Sequence, residues 1–121
     1  MIFINFILSF GDAADKGITR ALSSGCKKPL LYLVGSKDGN AAFEASNLVS
    51  VLGALKALYV PLEMREGVPD KSVKLATLGV FVGEDGNLPN VLKLATIIEE
   101  GKNVCRDVGA YCSRVTRYLD L

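Results

Sequence analysis

Apolar residues arrive along this chain in continuous runs separated by short polar stretches, a pattern of buried strands alternating with amphipathic helices. The run Ile2-Phe3-Ile4-Asn5-Phe6-Ile7-Leu8 reads as a buried parallel strand, and Ser9-Phe10-Gly11-Asp12 as the turn after it. A short helix is predicted over Ala13–Ser23, with Ala14, Ile18, Ala21 and Leu22 on one side. Gly25 fits its C-terminal end. Pro29 opens a second strand, Leu30-Leu31-Tyr32-Leu33-Val34. Gly35-Ser36-Lys37-Asp38-Gly39-Asn40 follows as a loop, with Asn40 placed to cap the next helix. In that helix Ala41, Ala45, Leu48, Leu52 and Leu55 recur at helical spacing, and Ala42, Val49 and Val51 widen the stripe. Leu58-Tyr59-Val60-Pro61-Leu62 reads as a third strand, with Pro61 at its end or on a sheet edge.

The polar stretch Glu63–Thr77 contains Gly67 and Pro69 and reads as a loop. Leu78-Gly79-Val80-Phe81-Val82 is a short extended segment, Glu84-Asp85-Gly86-Asn87 a turn, and Pro89 the first turn of the last helix. In that helix Val91, Leu94, Ile98, Gly101, Cys105, Val108, Cys112, Val115 and Leu119 form one nearly unbroken stripe. About thirty residues at 1.5 Å each reach roughly 45 Å, more than a small domain spans. Either the helix breaks near Gly101 or its far end packs on another subunit. Lys102, Arg106, Arg114 and Arg117 lie off the stripe and read as a solvated face. Three strand–helix units predict a single domain over residues 1–121 with a three-layer α/β architecture: parallel strands, flanking helices and a long C-terminal helix.

Composition narrows the chemistry. The 121 residues carry a formal net charge of +1 without a block of either sign, which argues against a dedicated nucleic-acid surface. Histidine is absent, removing the commonest general base and metal ligand. Cys105 and Cys112 lie two helical turns apart, roughly 10 Å at 1.5 Å per residue, too far for a disulfide. No cysteine pair forms a C-x-x-C, and no metal site is predicted. The three thiols are expected to be buried or half-buried in a reducing cytosol. The opening apolar run has no basic flank and is far short of the roughly 20 residues that span a bilayer, so a cytoplasmic protein without membrane contact is expected.

In a parallel sheet, ligands bind outside the carboxyl ends of the strands, which here puts Ser9–Asp12 and Gly35–Asn40 on one face. The passage Lys28-Pro29-Leu30-Leu31-Tyr32-Leu33-Val34-Gly35-Ser36-Lys37-Asp38-Gly39-Asn40-Ala41-Ala42 resembles the "G-K-P-x-x-x-V-x-x-G-G-x-x-G-G" region of flavodoxin-like NAD(P)H-dependent FMN reductases. Gly17-Ile18-Thr19-Arg20-Ala21-Leu22 resembles their "G-x-L-K-N" segment. Where the family has a proline and a tyrosine in the first loop, this chain has Ser9 and Gly11. The resemblance is to the family's C-terminal half, and the half with the "G-S-x-R-x-x-S" phosphate loop has no counterpart in these residues.

The resemblance implies a flavin-linked oxidoreductase with FMN as cofactor. Ser9, Phe10, Gly11 and Asp12 would flank the flavin, and Gly35, Ser36, Lys37, Gly39 and Asn40 would lie near the isoalloxazine edge. It also implies an exposed apolar edge at Ile2–Leu8, to be covered by a second copy or a second chain in a homo-oligomer or complex. The competing expectation is a non-enzymatic assembly or regulatory module on a degenerate form of the same frame. A third is redox or sulfur-carrier chemistry at Cys26, beside Lys27 and Lys28.

Overall fold

The structure is a computed structural model that describes residues 2–34, 45–83 and 87–118, with the backbone alone for 2–5, 116 and 118. Its elements in chain order are α1 (Ile2–Ser23), β1 (Leu30–Leu33), α2 (Ser46–Leu58), α3 (Leu62–Gly67), a 3₁₀ turn (Pro69–Lys71), β2 (Gly79–Val82) and α4 (Leu88–Tyr118).

The molecule is mostly helical, with two short strands, so the three-layer flavodoxin-like sheet is overturned. The expected first strand, Ile2–Leu8, is the opening of α1, and the expected turn Ser9–Asp12 lies inside that helix. An apolar run of this length has no period that separates a buried strand from a buried helix. Here it continues without a proline into the helical pattern of Ala14 and Ile18, and one helix forms through Gly11. That glycine lies where α1 crosses α2. A Cβ on Gly53 would come within 2.7 Å of the Gly11 Cα, so the two backbones meet here because Gly53 lacks a side chain, and one on Gly11 would press on Val49 at 3.1 Å. The end of α1 is as expected. Gly25 adopts φ 79°, its N–H donates to Leu22 O at 3.0 Å, and the Cys26 N–H donates to Ala21 O at 3.0 Å, a Schellman closure.

The second strand is present as β1, and the extended segment before the last helix is β2. They pair in parallel, Leu30 opposite Gly79 and Leu33 opposite Val82. The expected third strand, Leu58–Leu62, is the end of α2, a short connector and the start of α3. Pro61 accounts for this difference. At φ −56° and ψ 146° it leads into α3, and its carbonyl accepts from the N–H groups of Met64 and Arg65. The following polar stretch, expected as loop, holds α3 and the 3₁₀ turn.

The central element is α2. On one side Ala54 and Ala57 pack with Ala14 and Ile18 of α1. On the other, Val51 packs with Leu33 and Ala95, flanked by Leu48, Leu52 and Leu55. The expected Leu48/Leu52/Leu55 stripe is thus half of what α2 buries. The other half is a small-residue face, Ser46, Ser50, Gly53, Ala54 and Ala57. The Ser50 hydroxyl satisfies itself by donating to Ser46 O at 2.8 Å. The Lys56 ammonium, 3.1 Å from the Asp15 carboxylate, ties α2 to α1 at the surface.

Candidate functional site

Two features stand out: a polar clasp between α3 and α4, and the outward face of α4. The clasp begins in the connector after α2, where Tyr59 turns its ring toward α4. The Tyr59 hydroxyl donates to Asp107 Oδ1 at 2.9 Å, and Arg65 Nη2 donates to Asp107 Oδ2 at 2.5 Å. Arg65 Nε also donates to Val60 O at 3.1 Å, so α3 is fixed to α4 and to the connector at once. The Arg106 guanidinium lies over the Tyr59 ring, 5.0 Å from its centroid.

This geometry sets the protonation states. The Arg65 hydrogen bond, with help from the Tyr59 hydroxyl, holds the Asp107 carboxyl below its ordinary range against a partial loss of solvent. Partial burial and the bond to Asp107 push the Tyr59 phenol up. Arg65 is raised by the same carboxylate. At neutral pH the clasp is therefore an ionised carboxylate between a guanidinium and a protonated phenol, each polar group already partnered. It fixes geometry and has no proton poised for transfer.

Two turns toward the N-terminus of α4, Glu99 is buried at 4 % exposure. Its Oε1 accepts from Arg106 Nη1 at 2.5 Å, while Oε2 has no hydrogen bond and lies 3.7 Å from the Lys102 ammonium. Arg106 also donates to Asn103 Oδ1 at 2.6 Å. A groove of about 300 Å³ opens beside these groups, between Leu55, Leu58, Val60 and Leu75 on the apolar side and Glu99 and Glu100 on the other. Among the described residues, no group of three or more cysteine, aspartate and glutamate side chains converges on one point.

The outward face of α4 reverses expectation. The helix does not break at Gly101 but runs unbroken from Leu88 to Tyr118. The side it buries carries Ala95 and Glu99, and Arg106, expected on the solvated face, is drawn into the clasp. The expected core stripe is mostly in solvent. Leu94 and Val108 are exposed, as are Ile97, Val104 and Tyr111 beside them.

The flavin-flanking residues do not converge. Ser9, Phe10, Gly11 and Asp12 sit on α1, where the Ser9 hydroxyl is turned back to Phe6 O and Gly11 is occupied by the α2 crossing. Gly35, Ser36, Lys37, Gly39 and Asn40 lie outside the described residues. With Ile2–Leu8 helical, the apolar sheet edge that called for a covering partner is not there, although Phe6 and Leu8 are exposed on α1. Cys26, Cys105 and Cys112 are exposed thiols, not the buried or half-buried ones expected. Among the described residues, no helix is long and apolar enough to cross a membrane.

Tyr59, Arg65, Glu99 and Asp107 were not singled out from sequence. Glu99 and Arg106 are seven residues apart, two helical turns, which places them on one face and is the signal that was available.

No family model matches the chain, and no solved structure matches it. A protein of Caenorhabditis elegans named "Putative aminopeptidase W07G4.4" is 40 % identical over 98 residues, which is 80 % of this chain and 18 % of that protein. The chain thus spans less than a fifth of the relative it matches. Together with the mostly helical fold, this similarity overturns the flavodoxin-like, FMN and oxidoreductase assignment.

Proposed function

We propose that this chain is a docking segment of an aminopeptidase-related protein, one that supplies surface and not chemistry to a larger assembly. The observation that carries this reading is the outward face of α4. Leu94, Ile97, Val104, Val108, Tyr111 and Val115 lie along one helix and are each 37–62 % exposed. An apolar face of that length on an ordered helix is a feature of interaction sites. The similarity to a small fraction of a much longer relative supports the same reading. So does the state of the clasp, whose phenol, carboxylate and guanidinium are spent on holding α3 against α4. Exposed thiols are in keeping with a reducing, cytoplasmic setting.

The test is a peptidase assay on the full chain, with aminoacyl-p-nitroanilides and added Zn²⁺ or Mn²⁺. No release of nitroaniline above buffer is expected. Hydrolysis that co-purifies with the chain and is lost in an Asp107→Asn or Glu99→Gln variant would overturn the reading.

A further inference from the structure

The exposed residues of α4 have a spacing of their own. Leu94, Ile97, Gly101, Val104, Val108, Tyr111 and Val115 follow each other at alternating intervals of three and four, a heptad seam three repeats long and roughly 32 Å at 1.5 Å per residue. Leu94, Gly101, Val108 and Val115 take the first core position of each heptad, and Ile97, Val104 and Tyr111 the second. Glu99 and Arg106, which face the body of the molecule, lie on the opposite side of the helix. The seam therefore points away from the core around α2, with α3 beside the flank that carries Asp107 and Arg114.

Gly101 is the position least explained by the monomer. Glycine inside a helix is costly, and a Cβ there would meet nothing within 4 Å. Its absence becomes useful when something must enter from outside. Ten residues on, Tyr111 is the bulkiest described side chain of the seam and stands in solvent. Two α4 helices laid antiparallel, with Gly101 level with Tyr111 of the second copy, seat each ring against the other's bare backbone. The same register sets Val108 against Val104 and Val115 against Ile97. On the flank it brings Glu100 to Arg114 of the second copy, twice by symmetry. Glu100 is exposed and has no ion pair among the described residues. Arg114 lies 5.7 Å over its own Tyr111 ring and reaches Glu66 only at 4.0 Å. Asp107 meets its own counterpart, but each is already neutralised by Arg65. On the other flank, Cys105 of the two copies face each other at the two-fold axis.

We propose that the outward face of α4 binds a second copy of this chain, antiparallel, with Tyr111 packed over Gly101 and Glu100 paired with Arg114. This deepens the docking-segment reading and rests on it. Size, steric fit and charge are all self-complementary in one register, which is what an isologous contact requires.

Sedimentation equilibrium of the full reduced chain from about 1 µM to about 1 mM tests it. A monomer–dimer equilibrium is expected. Glu100→Arg or Arg114→Glu alone weakens the dimer roughly tenfold, because each puts two like-charge contacts on the flank, and the double exchange restores it. Gly101→Leu fills the slot for Tyr111 and abolishes the dimer, while the monomer keeps its thermal stability because leucine is the better helix former. A short bis-maleimide links Cys105 to Cys105 in preference to Cys26 or Cys112. A monomer at every concentration, or a dimer indifferent to both charge reversals, overturns the proposal. Such a result leaves the docking-segment reading to its own test, since that reading falls on peptidase activity and not on subunit number.

Discussion

At the scale of single residues, Asp107 decides more than its position in the sequence suggests. It is the common acceptor for Tyr59 and Arg65, and it links the connector, α3 and α4. Its native pKa lies below the ordinary 3.8, so the native state holds the proton less tightly than the unfolded chain does. The clasp's contribution is therefore complete above about pH 4 and is lost as pH falls through the depressed native value. Tyr59 acts at the other end of the scale. Its native pKa is raised above 10.0, so its share persists below pH 10 and fades as pH climbs through the native value. An Asp107→Asn variant should melt below the parent protein at neutral pH, with the gap closing in acid. A gap that stays constant from neutral pH into strong acid would assign the loss to packing and not to the carboxylate. Gly25 was legible at this scale because a positive φ after a helix leaves few residue choices. Glu99 and Arg106 were not, because a charge on a helix names no partner.

Among the elements, α2 is the one on which the others depend, and its small residues matter as much as its large ones. Gly53 is the sharpest case. Alanine is the better helix former by about 1 kcal/mol, yet a methyl at this position would collide with the Gly11 backbone. Gly53→Ala should destabilise the fold by about 1–3 kcal/mol, the usual cost of forcing extra volume into a packed contact, as read by urea denaturation. Val51 is the large side chain most fully enclosed, and Val51→Ala should cost about 2 kcal/mol through lost burial and the cavity left behind. The same two glycines lie where α1, which includes Ile2–Leu8, crosses α2. A parallel strand there needed a turn at Ser9–Asp12, and Gly11-Asp12 has turn composition. The glycine instead serves the approach of two helices, a use that composition does not distinguish from a turn.

For the molecule as a whole, the stable part and the available part are separate. The core lies around α2, between α1 on one side and β1, β2 and the first turns of α4 on the other. Beyond Asp107, α4 keeps a peripheral hold on the rest through Arg114 and Glu66 at 4.0 Å. Hydrogen exchange should follow this division, with the amides of Val51–Ala57 most protected and those of Val108–Val115 least in dilute solution. Pairing along the seam adds a second expectation: protection over Val108–Val115 rises with protein concentration while that of α2 stays fixed. Uniform protection along α4 at low concentration would mean that its distal half is held by the fold itself.

What the chain's sequence determined by itself was local: β1 and the extended segment that became β2, the helix that carries Leu48, Leu52 and Leu55, the closure at Gly25, and the start of a long last helix. These follow from apolar runs, breakers and a helix-ending glycine, which act within a few residues. Tertiary structure alone decided whether Ile2–Leu8 is strand or helix, which side of α4 is buried, and which charges meet. Each depends on what lies opposite in space. An apolar run is satisfied by either a sheet or a helix neighbour, and a helix with a polar clasp on one side and an apolar seam on the other can be turned either way until its partners are placed. Here the Tyr59–Arg65–Asp107 clasp and the buried Glu99–Arg106 pair turned the polar side inward, leaving the seam to solvent.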